Sequence, residues 1–237
     1  MQEQLKKILD EKLSTIVAHA RCVNLFLSIE LESTNGNKNI EEQIKIITEQ
    51  LPQNHKASTD SSPIQSFLLG QTFISLISEF EGFLVDIMIW VLKMHPHKLG
   101  TETFKLAEIL ELVEPEEIIR VAAERHINQI MYKRANEYKR SLIDMLSADN
   151  AFLSKSWAQY VEFKARRDLG VHNGWLVNDT YVRKVKEVGI ECSISGFQPP
   201  KNDYFWDAVE LLIAVINEIV SHCDVKFPCN DVARCTT

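Results

Sequence analysis

Residues 162–179 read EFKARRDLGVHNGWLVND, which places Arg166, Arg167, Asp168, His172 and Asn173 within one short run. On a helix, Arg167 and His172 would lie about 140° apart around the axis. Asp168 and His172, four residues apart, would share a face and come within reach of each other. Asn173-Gly174 reads as a helix C-terminus closed by a left-handed glycine. His172 would then stand near the negative end of the helix dipole, a position that favours imidazolium. A histidine can give or take a proton near neutrality. A guanidinium can pair with a phosphate and hold charge developing on it. No phosphate-binding loop and no metal-ligand cluster accompanies these residues in the sequence. The chemistry that fits them is metal-independent cleavage of a phosphodiester, with a ribose 2′-hydroxyl as internal nucleophile.

The run RRDLGVHNG resembles the signature of the HEPN superfamily: arginine, a polar residue, three variable positions, then histidine. Here these are Arg167, Asp168, Leu169-Gly170-Val171 and His172. The trailing Asn-Gly and WLVN are similar to stand-alone prokaryotic members linked to abortive infection and toxin–antitoxin systems. The resemblance extends over roughly residues 63–223, through a long helix carrying FEGFLVD and a closing amphipathic helix. It implies a homodimer in which the motif helices of two protomers meet and form one RNA-cleaving cleft. It implies Arg167 as stabiliser of the phosphorane, His172 in proton transfer, and an antitoxin or nucleotidyltransferase as a further partner. Asp168 reads either as an orienting residue or as a plain helix-surface acid. Arg166 is the active arginine if the register slips by one, and otherwise a phosphate or partner contact. Lys164, Asn173 and Trp175 complete the candidate substrate contacts, Trp175 at the cleft edge and Asn173 alternatively a cap. Gly170 and Gly174 each cost about 1 kcal/mol relative to alanine inside a helix. Such small residues would let two helices approach closely. A HEPN-like module that binds RNA or protein without cutting, and a purely structural helical scaffold, remain open.

The surrounding elements are helical by periodicity. Leu5, Ile8, Leu9, Leu13, Ile16, Val17, Ala20, Val23 and Leu27 recur at steps of three and four, predicting one helix over 3–31. A shorter helix is expected over 39–51, then a polar loop. Ser62-Pro63 supplies an N-cap and a first-turn proline for a long apolar helix ending before Pro96. Further helices are expected at 103–112, 116–146, 151–173 and 203–223. Residues 176–202 carry only a short stripe around Tyr181–Val188 and read as a small irregular or hairpin-like insertion. The expected fold is an all-α bundle: an N-terminal helical extension over 1–60, a HEPN-like bundle over 61–225 and a loose tail over 226–237.

The chain of 237 residues is long enough to bury a substantial core. Its net charge of −7 excludes nucleic-acid binding by bulk attraction, so a polyanion needs a local basic surface. Lys164, Arg166 and Arg167 form one basic group; those at 133–140 and at Arg183, Lys184 and Lys186 read as solvated helix faces. Five cysteines without CxxC spacing point to reduced thiols in a cytoplasm. His95 and His97 read as loop residues rather than metal ligands, and no cofactor is indicated. Glu79 and Glu81 read as the wet edge of an apolar helix, and no segment is apolar enough for a membrane span.

Overall fold

A computed structural model describes residues 2–33, 63–100, 103, 114–192 and 195–228. The described residues form seven α-helices and one short 3-10 turn: α1 (Gln2–Ser33), α2 (Pro63–Met94), the turn Pro96–Leu99, α3 (Pro115–Met131), α4 (Ala135–Leu146), α5 (Trp157–Asn173), α6 (Asp179–Glu187) and α7 (Asn202–Lys226). Among these residues there is no strand, only an isolated antiparallel bridge between Leu176 and Phe197. The all-α architecture follows from the three-and-four spacing of apolar residues. The helices expected over 39–51 and 103–112, and residues 229–237 of the expected tail, lie outside the described residues.

Two boundaries differ from expectation. The single helix expected over 116–146 is two helices, broken at 132–134. Buried Ile127, Ile130, Tyr138 and Leu142 keep helical phase across the break, and neither glycine nor proline marks it. The Lys133 ammonium donates to Ser141 Oγ at 2.8 Å, and Trp157 Nε1 donates to the Ala135 carbonyl at 3.2 Å. The second difference is the start of α5, which begins at Trp157 rather than 151. The Asp149 carboxylate accepts from the Ala151 and Phe152 amides, an Asx turn that competes with helix. Leu153 is then held at φ 57° with its side chain buried.

The chain divides into two compact units. The first comprises Met1–Glu11, Glu81–Trp157 and Val215–Thr237. Buried in it are Leu84, Ile87 and Val91 of α2, Leu142 and Leu146 of α4, and Ile216 and Ile219 of α7. Phe227, at the head of the expected loose tail, packs against Trp90 at 6.0 Å and His95 at 5.0 Å.

The second unit, Lys12–Phe80 with Ala158–Ala214, holds the motif helix α5. Here His19 bridges the Thr15 carbonyl and Ser75 Oγ, both at 2.7 Å, and ties α1 to α2. Phe73 of α2 sits among Phe163, Trp175 and Tyr204, with ring centroids 5.5–6.3 Å away. Each such buried aromatic contributes roughly 1.5–3 kcal/mol.

The segment expected to be irregular contains α6, capped by the Asn178 side chain accepting from the Tyr181 amide at 2.9 Å. Its two ends are clipped together: Val177 donates to the Gly196 carbonyl at 3.0 Å, and Gln198 to the Trp175 carbonyl at 2.8 Å.

Gly174 ends α5 with φ 53°, as Asn-Gly predicts, and Trp175 follows at φ 65°. A non-glycine residue there costs on the order of 1–3 kcal/mol. The turn folds the indole back between α2 and α5, where Trp175 is 4% exposed. A Cβ on Gly170 would meet the indole at 2.5 Å, and one on Gly70 at 3.0 Å. The space left by Gly170 is therefore filled from within the chain, not reserved for a helix of another protomer.

Gly170→Ala is expected to destabilise the protein by about 1–3 kcal/mol through overpacking, although helix propensity alone would favour it by about 1 kcal/mol. Trp175→Leu in the same chain should recover part of the loss by making room. Chemical denaturation of the single and double variants checks both signs.

Candidate functional site

Successive residues on α5 step about 100° around the axis, so Arg166 and Arg167 diverge. Taking Lys164 as zero, Arg167 lies about 60° to one side, Asp168 about 40° and His172 about 80° to the other. Glu162 and Arg166 lie about 160° away, on the opposite side. The helix carries one polar constellation inward and another outward.

The inward set is buried. Arg166 is 6% exposed and donates from Nε and Nη2 to Glu162 Oε1 at 3.1 and 2.8 Å. Its Nη2 also reaches Tyr181 Oη at 3.0 Å, and Nη1 reaches the Gln198 carbonyl at 3.4 Å. The Tyr181 hydroxyl donates to Glu162 Oε1 at 2.6 Å, and the Tyr204 hydroxyl donates to Oε2. The guanidinium also lies over both tyrosine rings, 5.3 and 4.9 Å from their centroids. Burial lowers the Arg166 pKa, but Tyr204, Glu162 and Tyr181 outweigh it and the net shift is upward. Burial, then the Glu162 charge, raises both tyrosine pKa values and keeps the hydroxyls as donors. This network walls a cavity of about 340 Å³ whose lining also includes Phe163, Val185 and Asp207.

The outward set is partly open. Asp168 Oδ2 accepts from Lys184 at 2.7 Å, while Oδ1 stands 3.3 Å from Arg167 Nη1. The contact expected between Asp168 and His172 is not formed, because α6 brings Lys184 onto the carboxylate instead. His172 is exposed, and among the described residues its ring makes no hydrogen bond. Val171 and Leu176 beside it are each 47% exposed. The Lys164 pKa is lowered to about 8, by burial first and then by Arg167 and Lys184, against the opposing pull of Asp168.

The remaining candidates fall apart by role. Arg166, an alternative active arginine by sequence, is enclosed in the buried network. Trp175, expected at a cleft edge, is in the core, where it offers no stacking face to a base. Asn173 closes the turn, its Nδ2 donating to the Leu176 carbonyl. Lys184 was not legible as a site residue; the one signal for it was its membership of a basic group on a short helix. Glu79 pairs with Lys12 at 3.7 Å. Among the described residues no group of three or more His, Cys, Asp or Glu side chains is arranged to hold a metal, and no helix is long and apolar enough to cross a membrane. Comparison with known proteins finds no family model, no curated protein and no solved structure that matches the chain.

The two adjacent arginines should behave differently. Arg166→Ala strands a buried carboxylate and is expected to cost about 3–5 kcal/mol. Arg167→Ala leaves Asp168 paired with Lys184 and is expected to cost less. Urea denaturation of both variants measures the contrast.

A second expectation concerns pH. Lys164 releases its proton near pH 8 in the folded chain and near 10.5 when unfolded. Between those values the unfolded chain binds more protons, so this residue makes stability rise with pH. Its cost is fully present at pH 7. Lys164→Met should therefore raise the melting temperature at pH 7, with the advantage shrinking as pH rises towards 10.5.

Proposed function

We propose that the protein is a metal-independent endoribonuclease of HEPN type, working as a cytoplasmic homodimer in defence or as a toxin. The observation that carries the reading is the split of the arginine pair. Arg166 is committed to the buried network, while Arg167 shares the outer side of α5 with Lys164, Asp168 and exposed His172. That is the residue type, in the position, that the signature assigns to phosphorane stabilisation.

In this reading the ribose 2′-oxygen attacks the adjacent phosphorus and the P–O5′ bond breaks. Proton transfer at His172 removes the 2′-hydroxyl proton or delivers one to the leaving 5′-oxygen. The Arg167 guanidinium carries charge on the non-bridging oxygens. Products bear 2′,3′-cyclic phosphate and 5′-hydroxyl ends. Lys164 and Arg167 supply the local positive charge that an acidic chain needs to hold RNA. Arg167 and His172 lie about 140° apart on one helix, so a second protomer's helix is needed to close a cleft around one phosphate. Exposed Val171 and Leu176 beside His172 give that association apolar area to cover.

His172→Ala and Arg167→Ala are each expected to lower RNA cleavage by about 10²–10⁴-fold while melting stays close to wild type. Cleavage should persist in excess EDTA and leave cyclic phosphate ends. A His172→Ala protein with wild-type activity would remove the assignment. Activity that disappears with chelator and returns with magnesium or manganese would remove the mechanism.

A further inference from the structure

We infer that the cavity enclosed by α5, α6 and the start of α7 binds a small organic amine, a protonated nitrogen carried on an apolar body. The site lies apart from the outward constellation of α5 and does not depend on the ribonuclease reading. Its volume of about 340 Å³ falls at the small end of the range for small-molecule sites, and its lining belongs to one compact unit. Such sites join apolar walls to a few convergent polar groups, and this cavity has both. Phe163, Val185 and Ile190 supply the apolar wall.

The polar groups select the charge of the ligand. Among the described lining residues Arg166 is the one cation, and its nitrogens donate to Glu162, Tyr181 Oη and the Gln198 carbonyl. Both tyrosine hydroxyls give their hydrogens to Glu162, so they offer a ligand ring surface and oxygen lone pairs rather than donors. The buried end is therefore neutral as a unit. Glu191 and Asp207 line the same cavity from exposed positions, and among the described residues neither forms a salt bridge. An anion entering would meet two uncompensated negative charges. An ammonium brings three donors to those carboxylates, while its hydrocarbon body covers the apolar wall.

The test is an amide NMR titration of the full chain with three probes of nearly one shape: phenethylamine, phenethyl alcohol and phenylacetate. Phenethylamine should bind with a Kd of about 1 mM or tighter, with shifts centred on Tyr181, Ile190 and Asp207. The alcohol should bind roughly tenfold more weakly, and phenylacetate more weakly still. Glu191→Gln and Asp207→Asn change exposed side chains and should leave the melting of the unliganded protein unchanged. Together they should weaken amine binding by roughly tenfold and bring it level with the alcohol. Ile190→Trp, which fills the cavity, should abolish binding of all three. The inference fails if phenethylamine leaves the spectrum unchanged, or if its shifts gather on another surface. It also fails if phenylacetate binds as tightly, since Arg166 would then be an anion contact, or if the double variant binds the amine as wild type does. RNA cleavage is not among the readouts, so failure here and failure of the ribonuclease reading are separate results.

Discussion

Burying a carboxylate costs several kcal/mol unless strong donors surround it. Glu162 meets that requirement with the Arg166 guanidinium and the hydroxyls of Tyr181 and Tyr204. These donors come from three helices: α5 itself, α6 and α7. Satisfying one charge therefore fixes where α6 and the start of α7 lie against α5. The Gln198 carbonyl, accepting from Arg166, adds the returning end of the 176–202 segment to the same knot. The outward constellation depends on this arrangement, because Tyr181 carries α6 to the place where Lys184 meets Asp168.

The turn at Gly174 and Trp175 solves a separate problem. A helix ending in solvent would leave its last side chains unsupported and its carbonyls open. Here two consecutive left-handed residues reverse the chain, and the Trp175 amide donates to the Leu169 carbonyl at 3.1 Å. The indole then enters the space that Gly70 and Gly170 leave open. Burial of so large a ring offsets the strain of its backbone. The same reversal stops α5 one residue past His172, leaving the histidine exposed on the last turn of a rigid helix.

Electrostatics follow from these placements rather than from bulk composition. The chain is acidic overall, yet Lys164, Arg167 and Lys184 gather about the single carboxylate of Asp168. The depressed Lys164 pKa is the cost of that gathering, with burial the larger part and neighbouring cations the smaller.

Much of the fold was legible because helix periodicity, Ser-Pro starts and Asn-Gly stops are local physics. The bounds of α2 and the end of α5 belong to that class, whereas α6 stands where an irregular segment was expected. The break at 132–134 does not, because the apolar stripe keeps phase through it and only the neighbouring packing shows the interruption. The sequence likewise marked a polar helix with two arginines, but left open which of them is buried. One residue is about 100° of rotation, and that choice depends on which side of α5 receives Tyr181 and Tyr204. The identity of the ring over Gly170, and the partner of Asp168, are contacts across 5 and 16 residues of chain. Residue types and spacing set which chemistry is open to this helix. Only tertiary packing decided which arginine is buried, because Glu162 takes Arg166 as its counter-charge.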